Sequence, residues 1–166
     1  MVETNDRRLP VGIQSFEEIR KNGYLYVDKT DIIWQLVNRG KTYNYLIRPR
    51  RFGKSVLVDT LESYFLGKKE LFEGLKIMQM ETEWVKRPVI RLDMSRAGAE
   101  PDTLRSYLNN IFKQYEEEYS LAPDPTDSLA DRFNAIIVGA YEQTGQQVAI
   151  LIDEYDSPLQ HSWKTP

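Results

Sequence analysis

The stretch RPRRFGKSVLVDTL, residues 48–61, decides how this chain is read. Before it stands YNYLI, residues 43–47, whose aromatic and branched residues predict a buried strand. After it, Leu57, Leu61, Tyr64 and Phe65 recur at helical spacing, and Gly67 is a stop signal. A strand, a tight loop and a helix, with Gly53-Lys54-Ser55 at the turn, form the setting in which backbone N–H groups and a helix N-terminus face an anion. In that reading Gly53 lets the backbone approach without a Cβ, the Lys54 ammonium reaches β- and γ-phosphates, and the Ser55 hydroxyl is a magnesium ligand. Arg48 stands where the strict pattern G-x-x-x-x-G-K-[ST] has its first Gly, and the tripeptide alone equally suits an exposed turn capping a helix.

A second stretch, VAILIDEYD at residues 148–156, changes that balance. Residues 148–152 are a continuous apolar run, as expected of a parallel strand covered on both faces, and two acids follow at its C-terminal end. Ligands of open α/β sheets bind at that edge. Asp153 is therefore expected to hold magnesium and Glu154 to polarise the attacking water as general base. Asp93 ends another strand on the same expected edge, where it lines the site or caps a turn. Arg48, Arg50 and Arg51 make the loop basic and suit phosphate oxygens, a nucleic-acid backbone or plain solvation.

Around these motifs, strands and helices alternate. Ser15 and Glu18 at capping-box spacing open a helix that Asn22-Gly23 ends, and residues 24–27 have strand composition. A helix over about 30–39 is expected to turn Ile32, Ile33, Leu36 and Val37 inward. Residues 88–94 read as a core strand, and Pro101-Asp102 starts a long amphipathic helix carrying Leu104, Leu108, Ile111, Phe112, Tyr115 and Tyr119. Another helix follows the break Pro123-Asp124-Pro125, with Leu129, Phe133, Ile136, Ile137 and Ala140 as its stripe and Gly145 as its stop. The pattern predicts an α/β domain with a mostly parallel sheet, divided into an N-terminal helix-strand-helix segment, 1–40, and a core, 41–166.

Composition excludes several chemistries. With 0 Cys there is no disulfide framework, thiolate zinc site or cysteine nucleophile, and with 1 His, at 161, most zinc hydrolases are gone as well. A formal net charge of −3 gives the whole chain no pull toward polyanions. No apolar run nears the roughly 18 residues of a membrane span, and residues 1–10 carry no signal-peptide core, so a cytoplasmic protein is expected.

The stretches LPVGIQSFEEIRKNGYLYVDKT (9–30), RPRRFGKSVLVDTLESYFLGKKELFEGL (48–75) and LIDEYDSPL (151–159) resemble the AAA-ATPase-like proteins of bacteria and archaea. Within that family, Arg at the first-Gly position is usual. The resemblance implies a P-loop NTPase domain of three-layer αβα architecture that binds ATP with Mg²⁺. Arg50, Arg51, Phe52, Gly53, Lys54, Ser55 and Val56 would form the loop, Ser55 and Asp153 the metal ligands, and Lys54 and Glu154 the catalytic pair. Tyr24, Tyr26 and residues 27–30 are candidates for touching the nucleotide or bracing the loop, with core packing as the plainer role.

Relatives often carry a C-terminal PD-(D/E)xK nuclease-type domain, but no strand bearing E-x-K or D-x-K follows Pro101-Asp102 at a sensible distance. The further strand that such ATPases place beside the Asp-Glu strand has no room in the thirteen residues after Asp153. The expectation is an N-terminal part of a longer protein, slow in hydrolysis by itself, whose ATP cycle drives or switches an effector domain. A hydrolysis-poor nucleotide-binding scaffold and ATP-controlled nucleic-acid handling are the alternatives.

Overall fold

The computed structural model describes residues 8–40, 42–47, 49, 52–98 and 100–158. The chain divides into two compact units, Met1–Val85 and Lys86–Pro166. The described residues form five α-helices and one parallel two-stranded sheet, an α/β arrangement. None of these helices is long and apolar enough to cross a membrane.

The first unit holds α1 (Phe16–Lys21), α2 (Thr30–Asn38) and α3 (Lys54–Phe65), followed by 3-10 turns at Lys69–Phe72 and Lys76–Gln79. Ser15 caps α1 as its spacing predicts, accepting the Glu18 N–H at 3.2 Å. Phe16, Ile19, Ile33, Phe72 and Ile77 are buried. Around them the rings of Phe16 and Tyr26, Phe16 and Phe72, and Phe72 and Trp84 each lie 5.0 Å apart. Ile33 faces inward on α2, but its neighbour Ile32 is exposed, because a short helix turns only one stripe to the core.

Two expected strands are corrected here. Residues 24–27 join no ladder: the Tyr24 N–H donates to the Ile19 carbonyl and the Leu25 N–H to the Arg8 carbonyl. Residues 43–47 run without strand pairing, and Tyr43, Tyr45 and Ile47 are all exposed. Composition favours an extended conformation at both places, but a strand also needs a neighbour for its N–H and C=O groups, and the described sheet contains neither segment.

The second unit holds β1 (Val89–Asp93), a 3-10 turn Met94–Arg96, α4 (Pro101–Glu118), α5 (Leu129–Thr144) and β2 (Ala149–Asp153). Pro101 begins α4 and Gly145 ends α5 at φ 64°, both as the sequence predicts. Ser128 and Asp131 add a capping box at the start of α5. β1 and β2 pair in parallel with Val89 opposite Ala149 and Asp93 opposite Asp153. Ile90 and Leu92 share a core with Phe112 and Tyr119, from α4 and its end, and Ile136 and Ala140 of α5. The expected burial of β2 on both faces is corrected: Leu151 is buried, whereas Ile150 and Ile152 are 40% and 48% exposed. In a two-stranded sheet β2 is itself an edge, so its run of apolar residues is only partly covered.

Candidate functional site: a phosphate-type loop and an acidic strand end

In the first unit, Gly53 is the residue immediately before α3, at φ 72° and ψ 23°, a left-handed conformation that glycine adopts without strain. A Cβ there would meet nothing within 4 Å, so the backbone angle rather than crowding calls for glycine. The Gly53 carbonyl accepts the Leu57 N–H at 3.0 Å and starts the helical ladder. Lys54, Ser55 and Val56 form the first turn, half-buried, and Phe52 stands 68% exposed ahead of them. Arg48, Arg50 and Arg51 lie outside the described residues.

The N-terminus of α3 differs electrostatically from the others. α1 has a Ser cap with Glu17 and Glu18, α2 has Asp31, α4 has Asp102, and α5 has Ser128 and Asp131. α3 has no side-chain cap and no acid in its first turn. The first N–H groups of a helix lack intrahelical partners and carry the positive end of its dipole. Here no carboxylate on the first turn offsets that field.

Two neighbours hold α3 in place. Asp59 Oδ2 accepts the N–H of Phe16, the first residue of α1, at 2.6 Å. The buried Thr60 donates to the Val56 carbonyl at 2.7 Å and lies 3.4 Å from the Tyr26 hydroxyl. The 27–30 segment is likewise occupied with bracing. Asp28 accepts the Thr30 N–H and hydroxyl and the Lys76 N–H, while the Thr30 hydroxyl accepts the Ile77 N–H at 3.1 Å. Thr30 is fully buried, and these bonds of Asp28 and Thr30 run to each other and to the turn at 76–77, which is neither of the loop roles expected for this segment. Nothing in the sequence marks Asp59, because its partner is 43 residues away.

In the second unit, β2 ends in Asp153, 7% exposed, whose Oδ1 accepts the Glu154 N–H at 3.0 Å. Glu154 has φ 49°, a left-handed conformation that costs a residue with a Cβ about 1–2 kcal/mol. The turn is secured by the Ser157 N–H, which donates to the Glu154 carbonyl at 2.9 Å. Asp93, the register partner of Asp153, stands at the same strand end. Its Oδ1 accepts the Ser95 N–H and hydroxyl at 3.1 and 2.6 Å, so it caps the 3-10 turn. Adjacent parallel strands thus deliver two carboxylates to one edge of the sheet, with Glu154 turned sharply beyond them.

Among the described residues no group of three or more His, Cys, Asp and Glu could hold a metal ion by protein ligands alone. A magnesium ion in a phosphate site takes only one or two protein ligands, the rest being phosphate and water, and within its own unit each of the Ser55 hydroxyl and the Asp153 carboxylate is an oxygen donor of the type such an ion takes.

The chain is similar to a protein of Azotobacter chroococcum mcd 1 described as an uncharacterized protein in the vnfD 5' region, 38% identical over 157 residues. That similarity covers 92% of this chain but only 30% of the relative's length. No solved structure matches the chain. The model of the family described as Predicted AAA-ATPase matches residues 10–166, which takes in both the Gly53 loop and the Asp153 strand end. The chain therefore belongs to the AAA-ATPase-like family.

Proposed function

We propose that this chain is the nucleotide-binding part of a P-loop ATPase of three-layer αβα type, taking Mg-ATP and coupling its hydrolysis to an effector domain. The observation that carries the reading is the start of α3, where a left-handed Gly53 precedes Lys54 on a helix whose first turn has neither a side-chain cap nor an acid. In this reading the N–H groups from Gly53 to Val56 cradle the phosphates, and Arg50, Arg51 and Phe52 complete the loop. Lys54 neutralises charge on the β- and γ-oxygens, Ser55 and Asp153 are magnesium ligands, and Glu154 takes a proton from the attacking water. Magnesium, when bound, draws negative charge from the β- and γ-oxygens. Family membership supports nucleotide binding, and the tight turn at Glu154 supports a role in which its carboxylate is aimed rather than solvated.

Calorimetric titration with Mg-ATP tests binding on the wild-type chain and on Lys54→Ala. Wild type is expected to bind and Lys54→Ala to bind at least tenfold more weakly, since a charge-assisted contact is worth about 1.5–3 kcal/mol. Glu154→Gln is expected to keep binding and lose turnover. An unchanged residual rate in Glu154→Gln would instead favour a nucleotide-binding scaffold that does not depend on hydrolysis.

A further inference from the structure

β1 and β2 pair in parallel along one side of each strand. The Ala149 N–H donates to the Pro88 carbonyl at 2.9 Å, so the groups of residues 88, 90 and 92 face β2. In an extended strand successive residues point their hydrogen-bonding groups to opposite sides, so those of Val89, Arg91 and Asp93 face away from β2. That outer edge has no strand beside it among the described residues. An unpaired strand edge of this kind is a template for a further strand.

Two of the three outward residues, Arg91 and Asp93, have their N–H groups partnered, and in each case by a tyrosine hydroxyl of α4. The Arg91 N–H donates to the Tyr115 hydroxyl at 2.8 Å, and the Asp93 N–H donates to the Tyr107 hydroxyl at 2.9 Å. The Tyr115 hydroxyl also lies 3.5 Å from the Arg91 carbonyl, so it meets the donor and the acceptor of one edge residue. The two tyrosines are eight residues apart on one helix and serve alternate residues of the strand, which is the repeat a neighbouring strand would use. Tyr115 also packs its ring against the Ile90 and Phe112 core. Phenylalanine at either place would fill the same space without the hydroxyl.

We propose that Tyr107 and Tyr115 are an edge guard: their hydroxyls occupy the outward N–H groups of Arg91 and Asp93 and so oppose strand pairing of that edge with a second copy of this chain. The proposal stands apart from nucleotide binding, since it depends only on the β1 and α4 pairing.

The test is the double variant Tyr107→Phe/Tyr115→Phe, compared with wild type by sedimentation velocity over a range of concentrations, with far-UV circular dichroism to establish that it is folded. Hydrogen exchange at Arg91 and Asp93 is expected to run roughly three- to tenfold faster in the variant, the loss of one net hydrogen bond at each amide. At equal concentration the variant is expected to show larger species than wild type. Adding Arg91→Pro removes the central outward donor, which an edge strand tolerates, and is expected to return the distribution to that of wild type. A folded double variant with the wild-type mass distribution overturns the proposal, as does association that Arg91→Pro leaves unchanged. Should the double variant not fold, Tyr107→Phe and Tyr115→Phe singly carry the same comparison with the same outcomes.

Discussion

At Glu154 the chain holds a residue with a Cβ at φ 49°, directly after the buried Asp153. The strain is a local property and so has a local test. Glu154→Gly removes the Cβ that the left-handed conformation disfavours, and thermal unfolding is expected to show a gain in stability of up to about 1 kcal/mol. A loss of stability would mean that the Glu154 side chain makes contacts worth more than the strain. Gly53 is the opposite case, since its φ of 72° carries no strain as glycine and its Cβ position is open. Gly53→Ala is expected to cost about 1 kcal/mol by denaturant unfolding, through the backbone alone, and to weaken Mg-ATP binding by intruding on the path of the phosphates. Of these two residues the sequence marks Gly53 through Gly-Lys-Ser; the strain at Glu154 is visible only in the backbone angles.

At the scale of elements, α4 and α5 are joined by a largely buried ion pair. Arg132 Nε and Nη2 donate to the two carboxylate oxygens of Glu116 at 2.7 and 2.8 Å, and Nη1 donates to Asn109. The two side chains are 15% and 7% exposed, so neither charge is well solvated. The Glu116 carboxylate beside it raises the Arg132 pKa further above its ordinary value. Removing one partner leaves the other buried and unpaired, and Arg132→Met is expected to lower unfolding stability by about 3 kcal/mol or more. Arg132→Met with Glu116→Leu is expected to lose less than Arg132→Met by itself, because desolvation of both charges is removed together. A double-mutant cycle in urea measures both. An additive result would show that the pair contributes nothing as a pair. The helix stripes of α4 and α5 are legible in the sequence, but this pair is not, since 16 residues and a turn separate its members.

For the whole molecule, the acid limb of stability follows from carboxylates held below their ordinary range. Hydrogen bonds from Lys21 and then Lys68 lower Glu17 to about 2. Bonds from the Thr126 hydroxyl and N–H lower Asp124, and those from the Ser128 hydroxyl and N–H lower Asp131. At Asp28 burial pushes upward, but the N–H groups of Thr30 and Lys76 and the Thr30 hydroxyl outweigh it, and the net direction is down. A lowered folded-state pKa contributes stability that is full above the unfolded-state value and is lost as pH falls through the folded-state value. For Glu17 that window runs from 4.5 down to about 2. The Tm is thus expected to be level above about pH 5 and to fall below about pH 4, and Glu17→Gln to flatten the fall between about pH 4 and 2. Added salt is expected to reduce the Glu17 contribution, because its ion pairs with Lys21 and Lys68 are exposed.

The same scale separates what is legible in the chain from what is not. The cap at Ser15, Pro101 at the start of α4, the glycine turns at 53 and 145, and the two parallel strands ending in Asp93 and Asp153 all follow from the sequence by itself. Each depends on neighbours within a turn of helix or on an apolar run of one strand's length, which is local information. Tertiary structure alone decided that residues 24–27 and 43–47 join no sheet, that Ile150 and Ile152 stay exposed, that Asp28 and Thr30 brace a turn at 76–77, and that Tyr107 and Tyr115 meet the outer edge of β1. The physical reason is common to them. Pairing, burial and long-range hydrogen bonds depend on which distant segment arrives alongside, and no residue carries that information in its own side chain.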